Sequence, residues 1–186
     1  MKDLIERITA LILLLMLSPI LLSIAFLIRI TSSGPPLHWS RRSGVNGENF
    51  LMPKFRTMTL GTPDLASHLL KNPENHLISI GGFLRKYSLG ELPQLISIAQ
   101  GKMSFVGPRP ALHNQHDLIR LRCKNSIDKI KPGVTGWAQI NGRDEVSIQK
   151  KIELDKEYLA KRSIKFDLHI IIKTILQVLN KKDISH

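Results

Sequence analysis

Ile8 to Ile28 reads ITALILLLMLSPILLSIAFLI, an apolar run without a charged side chain and about the 20 residues long that a helix needs to cross a bilayer core. Lys2, Asp3, Glu6 and Arg7 precede it and Arg29 follows. The run marks membrane attachment. A cleaved signal peptide fits less well, because the apolar part is long and acids stand among the residues ahead of it. Ser18 and Pro19 lie near the middle. Proline takes away the amide that would bond the Leu15 carbonyl and crowds that turn, so a break at Ser18-Pro19 is expected. The Ser18 hydroxyl stands where it can serve a freed carbonyl. Two shapes remain open: a kinked span with its ends on opposite sides, and a re-entrant hairpin with both ends on one side. The flanking Lys and Arg residues do not choose between them.

Outward from this run, 186 residues suffice for one domain with a real core. Twenty-seven Lys and Arg against 15 Asp and Glu give a formal charge of +12, which calls for an anionic partner: nucleic acid, phosphate-bearing substrates or an anionic membrane. A single cysteine, Cys123, excludes an intramolecular disulfide framework and multi-cysteine metal sites. Cys123 reads as an ordinary helix residue.

Thr31 to Pro36, TSSGPP, ends the membrane segment. Leu37 to Trp39 and Phe50 to Phe55 read as short extended pieces around a turn at Gly44 to Gly47. Thr62 to Asp64 resembles a helix start leading into LASHLLK. Glu91 to Gln100 shows a helical apolar face, opened by Glu91 at the positive end of the dipole and closed by Gly101. GPRP at Gly107 to Pro110 and KPGVTGW at Lys131 to Trp137 read as rigid turns. Two helices finish the chain, Val146 to Ala160 with a charged surface and Ile164 to Leu179 with a broad apolar stripe suited to the core or to a membrane interface. The fold class is α+β, predominantly helical. Residues 1–30 form the membrane helix and 31–186 a small globular domain with interfacial amphipathic helices.

Basic side chains gather where the backbone is least regular: Lys54 and Arg56 in KFRTM, Arg85 and Lys86 in LRKYS, Arg109 in GPRP, and Arg143 in INGRD. Arginine forks on rigid turns suit phosphate. Each alone reads as well as a solvated loop; together, beside glycine and proline, they read as a polyphosphate cleft. Glu91 is the natural ligand for a Mg²⁺ that offsets phosphate charge, with compensation of a helix dipole as its bland alternative. No zinc spacing, dinucleotide fingerprint, P-loop or nucleophile elbow is present.

KFRTM, LRKYSLGELPQL, GKMSFVGPRP and KPGVTGWAQINGR, in this order behind an apolar helix interrupted by Ser18 and Pro19, resemble the bacterial sugar transferases known as small monotopic phosphoglycosyl transferases. The resemblance covers essentially the whole chain. It implies transfer of a phospho-sugar from a UDP-sugar to polyprenyl (undecaprenyl) phosphate, with release of UMP and with Mg²⁺ as cofactor. This is the first membrane step in assembling lipid-linked glycans such as O-antigen, capsule, exopolysaccharide or glycoprotein glycans. It further implies a re-entrant helix hinged at Ser18 and Pro19, contact with membrane lipids, and a place on the cytoplasmic face of the bacterial inner membrane. Lys54, Arg56, Arg85, Arg109, Gln139 and Arg143 match positions expected to handle phosphate or nucleotide, and Glu91 matches the metal-binding acid. The family's central motif is SLDELPQL, whose aspartate attacks the sugar-bearing phosphate. Gly90 stands in its place here, and Lys102 stands where GDMS is usual. Glycine supplies no nucleophile, so turnover of this sequence is expected to be slow or absent unless another acid, Glu91, Asp144 or Asp155, substitutes.

The competing reading is a non-catalytic membrane protein that binds a sugar nucleotide or a partner. A nucleic-acid partner is not expected, since aromatics are sparse near the basic loops and no nucleic-acid motif occurs. Homo-oligomerisation is left open.

Overall fold

The computed structural model describes residues 1–63, 72–142 and 146–180. The apolar run lies within α1 (Lys2–Thr31), one helix that continues through Pro19. The expected break is therefore not an end of helix. The Ser18 hydroxyl donates to the Leu15 carbonyl at 2.8 Å, which is the acceptor that Pro19 leaves without its amide. Ser23 likewise donates to the Pro19 carbonyl at 2.8 Å.

One stripe of α1 packs on the rest of the chain along most of its length. Ala10 joins Met52, Leu95, Ile98 and Met103, with Leu13, Leu14 and Leu17 at the margin. Ile24 and Ile28 join Phe55, Ile78 and Leu84. Polar side chains fasten the leading end: Ser104 Oγ donates to Glu6 Oε1 at 2.7 Å, Arg7 Nε donates to the Ala99 carbonyl at 3.0 Å, and Asp3 pairs with Lys131. The opposite stripe, with Leu11, Leu15, Met16, Leu22 and Phe26, is uncovered. A helix long and apolar enough to cross a membrane, with this face bare, makes the protein membrane-associated.

The hairpin of β1 (Leu37–Ser43) and β2 (Asn49–Phe55) is antiparallel, in register from Leu37↔Phe55 to Ser43↔Asn49. Its first strand outlasts the expected Leu37–Trp39 because Ser40 to Ser43 find partners on β2. After it come α2 (Gly81–Lys86), a 3₁₀ segment (Leu89–Gln94) and α3 (Leu95–Ala99). The helix expected from Glu91 to Gln100 is thus divided. Ser88 enters the 3₁₀ segment at φ 55, and Pro93 within it has no amide to extend an α-helical ladder. Gly101, at φ +77, closes α3 as expected.

KPGVTGW is more than a turn: β3 (Ser104–Val106) and β4 (Gly133–Thr135) pair in parallel. The backbones approach too closely for side chains, since a Cβ on Gly133 would lie 2.1 Å from the Gly107 nitrogen. Glycine lets the Gly107 amide reach the Thr135 carbonyl at 2.9 Å.

α4 (His116–Lys124), α5 (Trp137–Ile140), α6 (Ile148–Lys161) and α7 (Ile164–Leu179) complete the order. Cys123 is an exposed residue of α4. Ser147 and Ser163 cap α6 and α7 by accepting from the amides of Lys150 and Phe166. The α7 stripe divides between two surroundings: Ile170 and Phe166 pack with Val106 and Tyr158, while Leu168, Ile172, Ile175, Leu176 and Leu179 are exposed. Tyr158 donates to Asp167 at 2.7 Å, and Asp167 also receives Lys2, which ties α1 to α7. The class is α+β and mainly helical, with an apolar N-terminal helix, as expected. The helix expected after Thr62 falls on residues 64–71, outside those described.

Candidate active site

The end of β2 presents Lys54, and Thr57 follows it. The 3₁₀ segment, which carries Gly90 and Glu91, packs across β2. The GPRP turn leaving β3 brings Arg109 to the same place, with Arg109 Nη1 3.2 Å from Glu91 Oε1. Arg85, from the end of α2, donates Nε to Thr57 Oγ1 at 3.1 Å. Burial lowers Arg85 from the ordinary guanidinium range.

Lys54 registers this convergence most sharply. Burial, followed by the charges of Arg42 and Arg109, lowers its ammonium from 10.5 to about 8, with Glu91 opposing and Arg85 adding to the fall. Among the described residues around Lys54, basic groups thus outnumber the acid Glu91, which is the balance a polyphosphate would redress.

Gly90 is buried. Its φ lies outside the left-handed region, and an added Cβ would meet only the Thr57 methyl group, at 3.5 Å. That is an ordinary contact, so neither backbone nor packing requires glycine here. A side chain at 90 would emerge beside Thr57, the partner of Arg85, and next to Glu91.

Three expected residues fall elsewhere. Arg56 is buried and fully engaged: Nε donates to the Pro35 carbonyl at 2.8 Å, Nη1 to Ser32 Oγ at 2.9 Å and Nη2 to the Ser32 carbonyl at 3.2 Å. Its guanidinium braces the TSSGPP link, because bare carbonyls of that link lie within reach. Gln139 folds back and donates to the Val134 carbonyl at 2.9 Å, leaving its buried Oε1 without a partner among the described residues. Asp155 is buried and paired with Arg122 at 2.7 Å, so it stands in for no nucleophile. Arg143 and Asp144 lie outside the described residues.

Arg42 and Thr57 join the cluster although the sequence did not single them out. Strand parity held the signal for Arg42, because His38, Ser40 and Arg42 share a face with Phe50, Met52 and Lys54 in this register. Thr57 stood inside the KFRTM motif, but the motif's basic residues drew the reading.

Among the described residues no three His, Cys, Asp or Glu side chains gather to hold a metal. Among the described residues Glu91 is the carboxylate that meets this cluster. One carboxylate fits Mg²⁺ where substrate phosphates and water complete the shell, and does not fit a metal held by protein alone.

A family model described as bacterial sugar transferase matches residues 1–181. The chain is 38% identical over 192 residues to the UDP-glucose:undecaprenyl-phosphate glucose-1-phosphate transferase of Xanthomonas campestris pv. campestris, covering 97% of this chain and 39% of that protein. It is 36% identical to the transferase of the same name from Escherichia coli (strain K12), covering 92% of this chain and 39% of that protein. The chain therefore spans about two fifths of the length of these relatives. It is also 38% identical to the uncharacterized sugar transferase EpsL of Bacillus subtilis (strain 168), covering 100% of this chain and 90% of that protein.

Proposed function

The chain belongs to the bacterial sugar transferase family, and from that premise we propose that its site serves transfer of a phospho-sugar from a UDP-sugar to undecaprenyl phosphate, with UMP as leaving group. The observation that carries this reading is the meeting of Lys54, Arg85 and Arg109 around Glu91, on the same body against which α1 packs. Cations on fixed turns can hold a pyrophosphate, and their nearness to an apolar helix suits a second substrate whose phosphate sits at the headgroup level. The names of the Xanthomonas and Escherichia relatives support this substrate pair.

α1 packs on one body both before and after Pro19, through Ala10 on one side and Ile24 and Ile28 on the other. This supports a monotopic arrangement with both ends of the helix on one side; a place at the cytoplasmic face of the inner membrane is part of the proposal and follows from where a UDP-sugar would be met. Glu91 would hold Mg²⁺ together with substrate phosphates, and the ion would neutralise phosphate charge when bound. Arg109, already paired with Glu91, would turn to a phosphate oxygen. Lys54, with its ammonium lowered to about 8, would be held in its charged form as the anion arrives.

Gly90 leaves the attack on phosphorus without its carboxylate. With a carboxylate at position 90, its oxygen would bond to the sugar-bearing phosphorus and the bond from that phosphorus to the UMP oxygen would break. The chain as written therefore binds and does not turn over appreciably, which favours a sugar-nucleotide-binding role as the second reading. Gly90→Asp separates the two. The variant is expected to release UMP from a UDP-sugar at least about a thousandfold faster than the unaltered chain, a typical scale for supplying a missing nucleophile. Equal rates for both forms would refute the assignment of Gly90.

A further inference from the structure

We propose that Arg122 is a positioning residue for the phosphate site, with Asp155 orienting it from behind, because its buried guanidinium fixes the backbone of the turn that aims Arg109. The proposal rests on the functional reading above and adds to it a residue that touches neither substrate nor Glu91.

Arg122 lies on α4 and is 9% exposed; Asp155 lies on α6 and is 1% exposed. Arg122 donates Nε and Nη2 to Asp155 Oδ2, at 3.0 and 2.7 Å, and Nη1 to the Arg109 carbonyl at 2.6 Å. One rigid fork thus joins two helices to the backbone of the residue whose side chain meets Glu91. The rest of the turn is held in the same fashion. Gly107 donates its amide to Thr135, the Gly133 amide donates to Pro108, and Arg42 donates to the Pro110 carbonyl at 3.1 Å.

Hydrogen bonds act beside packing here, since Ala111 at the end of the turn joins Leu118, Ile127 and Ile152. Behind the turn lies a cavity of about 30 Å³, lined by Pro108, Ala111, Arg122 and Asp128 among others. Burial raises the Asp155 carboxyl and the neighbouring Arg122 opposes the rise, in keeping with a pair held by its partners rather than by solvent. A displacement of the Arg109 backbone by a fraction of an ångström would move its guanidinium off both Glu91 and a bound phosphate.

The test is a double-mutant cycle on the full chain in detergent micelles, with UDP and Mg²⁺ as the probe and calorimetry as the readout. Arg122→Lys keeps a charge opposite Asp155 but lacks the fork that reaches the carbonyl as well. It is expected to weaken UDP binding about tenfold in the unaltered chain, and less than twofold when Arg109→Ala is already present, since coupled residues do not add. Equal losses in both backgrounds, or none in either, would overturn the proposal. Amide exchange from Gly107 to Leu112 gives a second measurement that needs no ligand. Faster exchange in Arg122→Lys, with the melting temperature little changed, supports positioning, and unchanged exchange overturns it. Should the unaltered chain bind no UDP, the nucleotide reading falls and this exchange measurement alone decides the role of Arg122.

Discussion

Lys54 and Arg56 stand two residues apart at the end of one strand, in a motif that promises phosphate binding for both, yet they belong to different regions. Arg56 faces the TSSGPP link, where the carbonyls of Ser32 and Pro35 and the Ser32 hydroxyl take its protons. Lys54 faces the cluster of Arg42, Arg85, Arg109 and Glu91, where like charges and burial lower its ammonium to about 8. A cation beside unpaired carbonyls becomes a structural brace. A cation among other cations stays available to an anion. Charge and motif are the same in both regions, and the difference lies in what the neighbouring backbone leaves unpaired.

The largest effect that can break this contrast comes from removing one arginine of each kind. Arg109→Ala is expected to weaken UDP binding by about tenfold to a hundredfold, the scale of one or two charge-assisted hydrogen bonds, with little loss of stability from a partly exposed ion pair. Arg56→Leu is expected to do the reverse, costing roughly 2–3 kcal/mol of stability through carbonyls left unpaired while UDP affinity stays within about twofold. Calorimetric titration and denaturant unfolding on the two variants check both halves. Loss of UDP affinity in Arg56→Leu at unchanged stability would erase the distinction.

Lys54 sharpens the contrast through pH. Its amine loses its charge near pH 8 in the folded chain against 10.5 unfolded, so affinity for a phosphate anion is expected to fall severalfold between about pH 7 and 9, and Lys54→Met to flatten that profile. Linkage predicts the opposite trend for folding. The unfolded chain holds more protons between pH 8 and 10.5, so stability rises over that window, and the destabilisation is fully present below pH 8. Affinity that does not change through pH 8 would mean the amine lies outside the anion site.

Much of this was legible in the sequence for identifiable reasons. The α7 boundaries followed from a 3.6-residue apolar stripe, and the hairpin from its glycine turn. The division of the Glu91 helix was less visible, although Pro93 lay in plain sight, because a proline in the first turns of a helix is usually tolerated and only Ser88 at φ 55 forces the tighter start. The β3–β4 pair hid behind glycines that read as turn formers when their use is close backbone approach. At the site, ordered motifs named Lys54, Arg85, Arg109 and Glu91, but no linear pattern could show that Arg56 would meet the carbonyls of residues more than twenty positions earlier. Nor could one show that Arg122, beside Cys123 on α4, would grip the Arg109 carbonyl.

The smallest expected effect tests the same rule in an apolar setting. Ser18 serves the Leu15 carbonyl at 2.8 Å where Pro19 cannot, so its hydroxyl is a local brace like Arg56, but on a helix stripe that faces away from the domain. Ser18→Ala should leave that carbonyl unpaired and destabilise the chain by about 1 kcal/mol, since hydrogen bonds of this kind in membrane helices contribute modestly. Pro19→Ala restores the missing amide, and in that background Ser18→Ala should cost close to nothing. Unfolding in detergent across the four forms measures the coupling. If Ser18→Ala costs the same with and without Pro19, the hydroxyl is not replacing the proline's absent donor, and the continuity of α1 through residue 19 must have another cause.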